Sequence, residues 1–152
     1  MEREEHTAIV NAWLKDLSAS VDEKLQLDED GICSLQVEER AIITMEVSND
    51  FPLLHLYSPV FPLPDQEEGE RVAILTKVLE LNAFQNLTRG GSIALVPGGN
   101  LLFYCFSLPI EGTDSAQFDQ ALGEFYSTSL EIKEYLKDLD EKEDLPEFRI
   151  TA

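Results

Sequence analysis

Residues 71–109 read RVAILTKVLELNAFQNLTRGGSIALVPGGNLLFYCFSLP and contain the strongest structural signals in the chain. After a helical apolar pattern come two apolar runs, Ser92–Val96 and Leu101–Leu108, on either side of Pro97-Gly98-Gly99-Asn100. Two apolar runs joined by such a turn predict a β-hairpin. In the second run both alternating sets of side chains are apolar, which indicates a strand in the interior of a sheet.

The helix predicted over residues 67–82 is apolar around most of its circumference. The residues responsible are Val72, Ala73, Ile74, Leu75, Val78, Leu79 and Leu81. A helix of this kind has to be buried on more than one side. One sheet can cover a single side only, so the pattern predicts that the other side meets a second copy of the chain in a homodimer.

Upstream of this segment the sequence predicts a helix followed by strands. Apolar residues recur at helical spacing from Glu4 to about Ser18. The acidic turn sequence at 28–31 separates Leu25-Gln26-Leu27 from an alternating run through Val37, which favours a hairpin across that turn. A second alternating run covers Ala41–Val47.

The chain between the second alternating run and the central helix contains one more predicted strand, Leu53 to Val60. It is ended by Pro59, Pro62 and Pro64, because proline cannot donate to the ladder of a central strand.

The downstream part predicts one long amphipathic helix. Asp114 and Gln117 have the spacing of a capping box, and an apolar stripe continues to about Leu139. The expected fold is therefore α+β, with an antiparallel sheet flanked by helices in the order helix, strands, helix, hairpin, helix. No linker divides the chain, so we expect a single domain over residues 1–139 and an acidic, flexible C-terminal tail over residues 140–152.

Charge and composition exclude several classes of protein. Among 152 residues, 30 Asp and Glu face 11 Lys and Arg, which gives a net charge of −19. That sign repels phosphate backbones and anionic lipid, so we expect no nucleic-acid partner and no membrane insertion. Because 43% of the residues are hydrophobic, the chain should nevertheless fold. Cys33 and Cys105 lie in apolar runs and are expected to be reduced, buried thiols.

Catalytic motifs are weak throughout, and the chain is not expected to be an enzyme or to bind a metal or cofactor. His6 and His55 lack zinc-ligand spacing and are interpreted as a surface residue and a sheet residue. Asp28-Glu29-Asp30-Gly31 lacks the alternate-position ligands of a calcium loop. Glu46 interrupts a strand, but its position on a solvated edge explains it.

From Arg71 onward the order and spacing of elements resemble the class I chaperones of bacterial type III secretion, the Tir-chaperone-like family. The resemblance lies in the leucine-rich helix ending in Asn82, the strand Gly91–Leu95, the Pro97-Gly98-Gly99 turn, the strand Leu101–Pro109 and the final helix. The layout of the N-terminal half agrees, so the resemblance spans essentially the whole chain.

The resemblance implies a bacterial, cytoplasmic homodimer that binds the N-terminal region of secreted effector proteins in extended form and keeps them secretion-competent. It also implies delivery to the secretion apparatus, whose ATPase is a candidate partner. Carried over to this sequence, the family's dimer contacts are Leu75, Val78, Leu79, Ile93 and Leu95. Its effector grooves correspond to Val10, Trp13, Leu14, Leu17, Leu35, Val37, Ile43 and Met45.

Two other functions stay open at this point. One is an adaptor or sensor of the same fold outside secretion. The other is a small α+β enzyme that uses a pair of carboxylates, for which the only motive is the excess of acids. Trp13 is the most informative single residue, since it is either a core residue or a binding anchor.

Overall fold

The computed structural model describes residues 2–64 and 67–141. Within them the helices and strands follow one another as α1 (Arg3–Val21), β1 (Ile32–Val37), β2 (Ala41–Val47), β3 (Leu53–Pro62), α2 (Glu68–Phe84), β4 (Ser92–Leu95), β5 (Leu101–Pro109) and α3 (Ser115–Glu141). All pairings are antiparallel, and the strands form one sheet with the order β1-β2-β3-β5-β4. The predicted α+β fold and its order of elements are confirmed.

One face of the sheet carries the hydrophobic core. Alternate strand residues are buried there, and α1 and α3 contact β2 while α3 also contacts β3 and β5. The two helices meet where Trp13 stacks on Phe118, with ring centroids 5.2 Å apart and planes 21° from parallel. Among the core residues contributed by the strands are Leu35, Ile43, Met45, Leu54, Leu56, Leu102 and Tyr104.

The central helix α2 lies at the β4 end of the sheet, where it contacts β4 and α3. Its fully buried residues are Ile74 and Val78. The hairpin of β4 and β5 forms as predicted, with Ile93 opposite Tyr104. Strand β5 lies between β3 and β4, which confirms its interior position.

The first hairpin turns at a different place from the one predicted. Leu25-Gln26-Leu27 is not a strand, because its backbone bonds to α1: the N–H of Leu25 donates to Ser18 Oγ and that of Leu27 to Asn11 Oδ1. The hairpin instead joins β1 to β2, with the N–H of Arg40 donating to Val37 O. Glu38 and Glu39 occupy this turn at φ 50° and 59°. The position of this turn could not be predicted from the sequence, because it lacks glycine and asparagine, the residues usually found at such φ values.

The predicted end of β3 at Val60 is two residues too early, because Pro59 does not end the strand. The strand continues to Pro62 with a bulge between Pro59 and Phe61. The pairing with β2 covers only Leu54 to Tyr57, so Pro59 has no β2 partner to which it should donate. Proline is tolerated there because that side of β3 is locally an edge.

The predicted capping box at the start of α3 is present. The N–H of Gln117 donates to Asp114 Oδ1 at 2.8 Å, and the N–H of Asp114 donates to Gln117 Oε1 at 2.9 Å. The helix continues to Glu141, two residues beyond its predicted end. The rest of the expected tail, residues 142–152, lies outside the described residues, and the division into domain and tail stays a prediction.

We expect Glu39→Gly to raise the free energy of unfolding by about 0.5–1 kcal/mol, because a left-handed backbone costs an L-residue about 1–2 kcal/mol and glycine much less. Urea denaturation measures the change. Glu29→Gly is the matched control, since Glu29 lies in a turn without a positive φ and glycine there should be neutral or destabilising. Equal losses of stability in the two variants would contradict a strained turn at Glu39.

Candidate binding surfaces

The eight residues proposed for effector binding belong to the hydrophobic core or pack against it. Six of them are buried by the chain itself: Val10, Trp13, Leu14, Leu35, Ile43 and Met45. Leu17 and Val37 are partly buried and pack against the same core, and we call these two residues the rim. One helical turn beyond Leu17, Val21 is exposed. The buried six therefore support the rim from beneath, and the rim is the part that a second chain can touch directly.

Strand β1 forms one outer edge of the sheet. The backbone groups of its first outward-facing residue, Ile32, are already hydrogen-bonded within the chain. The carbonyl of Gly31 accepts from the N–H of Val47, so the next residue, Ile32, directs its own backbone away from β2. Asp28 satisfies both of these groups: its N–H donates to Ile32 O at 2.8 Å, and its Oδ1 accepts from Ile32 N–H at 3.0 Å. By the same alternation, Ser34 and Gln36 direct their N–H and C=O groups outward.

The second face of the sheet has no helix in contact with it in the described part of the chain. Ile42 is 48% exposed on this face. In the strands next to it, Tyr57 lies against Phe103 with ring centroids 6.0 Å apart, and His55 Nδ1 lies 2.8 Å from Ser107 Oγ. This confirms His55 as a sheet residue in a polar pair.

The outward side of α2 and the end of β4 each leave large apolar side chains exposed. Of the five predicted dimer residues, Leu79 is 70% exposed and Leu95 is also exposed, whereas Leu75 is partly buried. Val78 and Ile93 are buried in the chain's own core. Sequence reasoning omitted three exposed neighbours: Val72, Val96 and Phe84, the last of which is 82% exposed. Val72 was identified as part of the apolar helix pattern but not as a dimer contact, although it lies two helical turns before Leu79 on the same side of α2.

Tyr104 fixes the loop that connects α2 to β4. Its hydroxyl donates to Thr88 O at 2.5 Å, and its ring stacks on Phe125 with centroids 4.8 Å apart. Burial raises the pKa of Tyr104 to about 12, so the hydroxyl remains a donor at neutral pH. Gly91 is required by this packing, since a Cβ there would lie 2.5 Å from the Tyr104 ring. Tyr104 thus joins the loop after α2 to the sheet and to α3.

The side chains that could carry chemistry are held in structural contacts. His6 is buried, so the expected surface position is wrong; it is covered where α1 meets the loop before α3, and its Nε2 lies 3.3 Å from Glu111 Oε1. Cys33 and Cys105 are free thiols, and burial raises the pKa of both. Cys33 is buried as predicted, whereas Cys105 is only partly buried, so the prediction of full burial is wrong for Cys105. Over residues 2–64 and 67–141, no group of three His, Cys, Asp or Glu side chains could hold a metal ion.

No helix in the described ranges is long and apolar enough to span a membrane. The exposed apolar side chains of α2 and the open edge at β1 are features typical of a protein-binding module. The chain belongs to the Tir chaperone protein (CesT) family, whose model matches residues 12–131.

Solved structures of secretion proteins share the fold. One chain of the ExsC–ExsE complex superposes with a TM-score of 0.72 at 16% identity, covering 86% of this chain and 95% of that one. A chain of the HopA1–SchA chaperone–effector complex gives a TM-score of 0.65 at 19% identity, covering 84% and 95%. The heterodimeric ExoU–SpcU complex from the type III secretion system of Pseudomonas aeruginosa gives 0.59 at 16%, covering 86% and 96%. Among curated protein sequences, none matches this chain.

We expect Trp13→Ala to lower the free energy of unfolding by about 3–5 kcal/mol, because Trp13 is only 4% exposed and its removal leaves a cavity against Phe118. Denaturation in urea, followed by circular dichroism, measures the loss. Phe51→Ala is the matched aromatic control, since Phe51 is largely exposed and should change stability by about 0.5 kcal/mol or less. A loss below 1 kcal/mol for Trp13→Ala would contradict its place in the core.

Proposed function

We propose that two copies of this chain form a homodimeric type III secretion chaperone in the bacterial cytoplasm. It binds the N-terminal region of one or more effector proteins in extended form, keeps them soluble and secretion-competent, and delivers them to the secretion apparatus without catalysing a reaction. Membership of the CesT family supports this function. The structural observation that carries it is the apolar side of α2, which a single chain leaves in water.

The dimer proposal rests on the large apolar side chains that α2 and the end of β4 leave exposed. Val72 and Leu79 are exposed on the same side of α2, Phe84 is exposed at its end, and Leu95 and Val96 are exposed at the end of β4 and directly after it. Exposed apolar patches of this kind on a folded chain mark interaction sites. A second copy presents the same patch, so a two-fold symmetric contact buries both. Leu75 contributes at the margin, while Val78 and Ile93 hold the surface in place from the core.

Client binding is proposed at the β1 edge and the rim beside it. Ser34 and Gln36 offer two successive outward-facing residues, which an extended segment can pair with by strand addition. The rim residues Leu17 and Val37 are partly buried, and they can contact apolar side chains of the same segment. The six buried candidates fix the positions of these two. The printed title of the HopA1–SchA structure, a chaperone–effector complex, supports such a role for the fold.

The acidic residues account for the solubility of a protein with so much apolar surface. A net charge of −19 is well beyond the magnitude of about 2–8 that suffices for a small domain. Apolar burial contributes about 25 cal/mol per Å², and ordering an extended client opposes it, so tight binding requires a large contact area. Two subunits double the area available to one client.

Leu79→Asp should convert the dimer into folded monomers, because it places an unpaired charge in the apolar contact at a cost of about 3–5 kcal/mol. Light scattering measures the molar mass, and circular dichroism checks that the helices remain. Ile42→Asp is the matched control, since Ile42 is also exposed but lies on the open face of the sheet. A molar mass unchanged by Leu79→Asp, or halved equally by Ile42→Asp, would contradict a dimer through α2.

Ser34→Pro should reduce the amount of client that co-purifies with the chaperone at least about tenfold, since it removes an outward N–H that only an added strand would use. Ser34→Thr keeps that N–H and is the control. Quantitative mass spectrometry of the co-purified client, with a melting temperature for each variant, gives the comparison. Equal client recovery with both variants would show that the client does not pair with β1.

A further inference from the structure

The two edges of the sheet differ in what they offer to an added strand. On β4 the N–H of Val96 donates to Leu101 O, so Val96 and the residues alternating with it face β5. Ile93 and Leu95 therefore direct their backbone groups to the outer edge. Both groups of Ile93 are already bonded: its N–H donates to Asn82 Oδ1 at 2.8 Å, and its C=O accepts from Asn82 Nδ2 at 2.9 Å.

The side-chain amide of Asn82 presents one acceptor and one donor, as a residue of a neighbouring strand would. It projects from the last full turn of α2, which holds it against β4 in a partly buried position. Only Leu95 is left facing outward on this four-residue strand. A single residue cannot support a ladder, whereas β1 has two successive outward residues, Ser34 and Gln36.

We propose that Asn82 closes the β4 edge to strand addition, so that an extended client pairs with the sheet at β1 alone. This inference rests on the proposed function, since it specifies where the client enters. Unprotected edges invite pairing with any extended chain. Closing β4 with a side chain of α2 leaves the adjacent dimer surface free of competing client strands. Asn82 is thus a positioning residue for the client, acting through the edge it occupies.

The first test measures hydrogen exchange by NMR in the wild type, Asn82→Ala and Asn86→Ala. Asn86 is an exposed asparagine in the following loop and serves as the matched control. Loss of the Asn82 bond should speed exchange of the Ile93 amide about tenfold relative to that of Ala94, which faces β5. A merely structural loss would speed both amides together, and that result, or no change at Ile93, would overturn the proposal. Because alanine favours helix more than asparagine does, Asn82→Ala should not weaken α2 through helix propensity. If Asn82→Ala nevertheless does not fold, Asn82→Ser is the second variant.

The second test uses a blocked heptapeptide of alternating valine and lysine that carries a nitroxide at one end. Its positive charge suits the acidic protein, and its pattern suits a strand. Broadening of amide signals near Ser34 reports pairing with β1, and broadening near Leu95 reports pairing with β4. Each protein is measured with and without Leu79→Asp, so that a partner subunit does not hide β4.

We expect broadening only near Ser34 in proteins with Asn82, and near both strands in proteins with Asn82→Ala. Broadening near Leu95 that is as strong with Asn82 as with Asn82→Ala would overturn the closure of β4. So would the absence of broadening near Leu95 in Asn82→Ala. In a third outcome, Asn82→Ala shows clear broadening near Leu95 but no broadening near Ser34. This result contradicts client entry at β1 and leaves the closure of β4 by Asn82 supported. Absence at both strands in every protein contradicts both proposals.

Discussion

The packing of α1 and α3 on one face of the five-stranded sheet is the constraint on which the rest of the structure depends. Trp13 and Phe118 join the two helices, and alternate residues of the strands fill the space beneath them. With both helices on this face, α2 is left at the end of the sheet, in contact with β4 and α3. Helices on one face of the sheet cannot bury the outer side of α2 or the edges of the sheet. In the proposed complex these surfaces are covered by other chains.

The two edges of the sheet and the outer side of α2 differ in which groups they leave available to another chain. Asp28 occupies one outward residue of β1 and leaves two, whereas Asn82 occupies one outward residue of β4 and leaves a single one. The exposed apolar side of α2 is held in place through the loop that Tyr104 fixes. One surface therefore suits a rigid, symmetric partner, and the other suits an extended chain. This division fits the homodimeric chaperone that we propose.

The sequence predicted the order of elements, the β4–β5 hairpin and the start of α3, because these depend on local patterns. The Asp114–Gln117 spacing fixes a helix start by itself, and a Pro-Gly-Gly-Asn turn fixes a hairpin. It misplaced the first turn, because Glu38 and Glu39 adopt a left-handed backbone that their residue type disfavours. It also misplaced the end of β3, because Pro59 has no β2 partner to which it should donate and is therefore tolerated in the strand. For the binding surfaces, periodicity identified apolar residues but could not distinguish the buried Trp13 and Ile43 from the exposed Leu79. That distinction depends on which elements pack against each residue in the fold. The role of Asn82 depends on its contact with Ile93, eleven residues later, which no sequence pattern predicts.

Native mass spectrometry of the chaperone purified with its bound client, before and after washing in 1 M NaCl, most directly tests whether a dimer holds an extended client by apolar contact. Salt at about 1 M reduces the Debye length to about 3 Å and so removes attraction between exposed charges. We expect a mass equal to two chaperone chains and one client, retained after the wash. A single chaperone chain in the complex, or loss of the client in salt, would contradict the account.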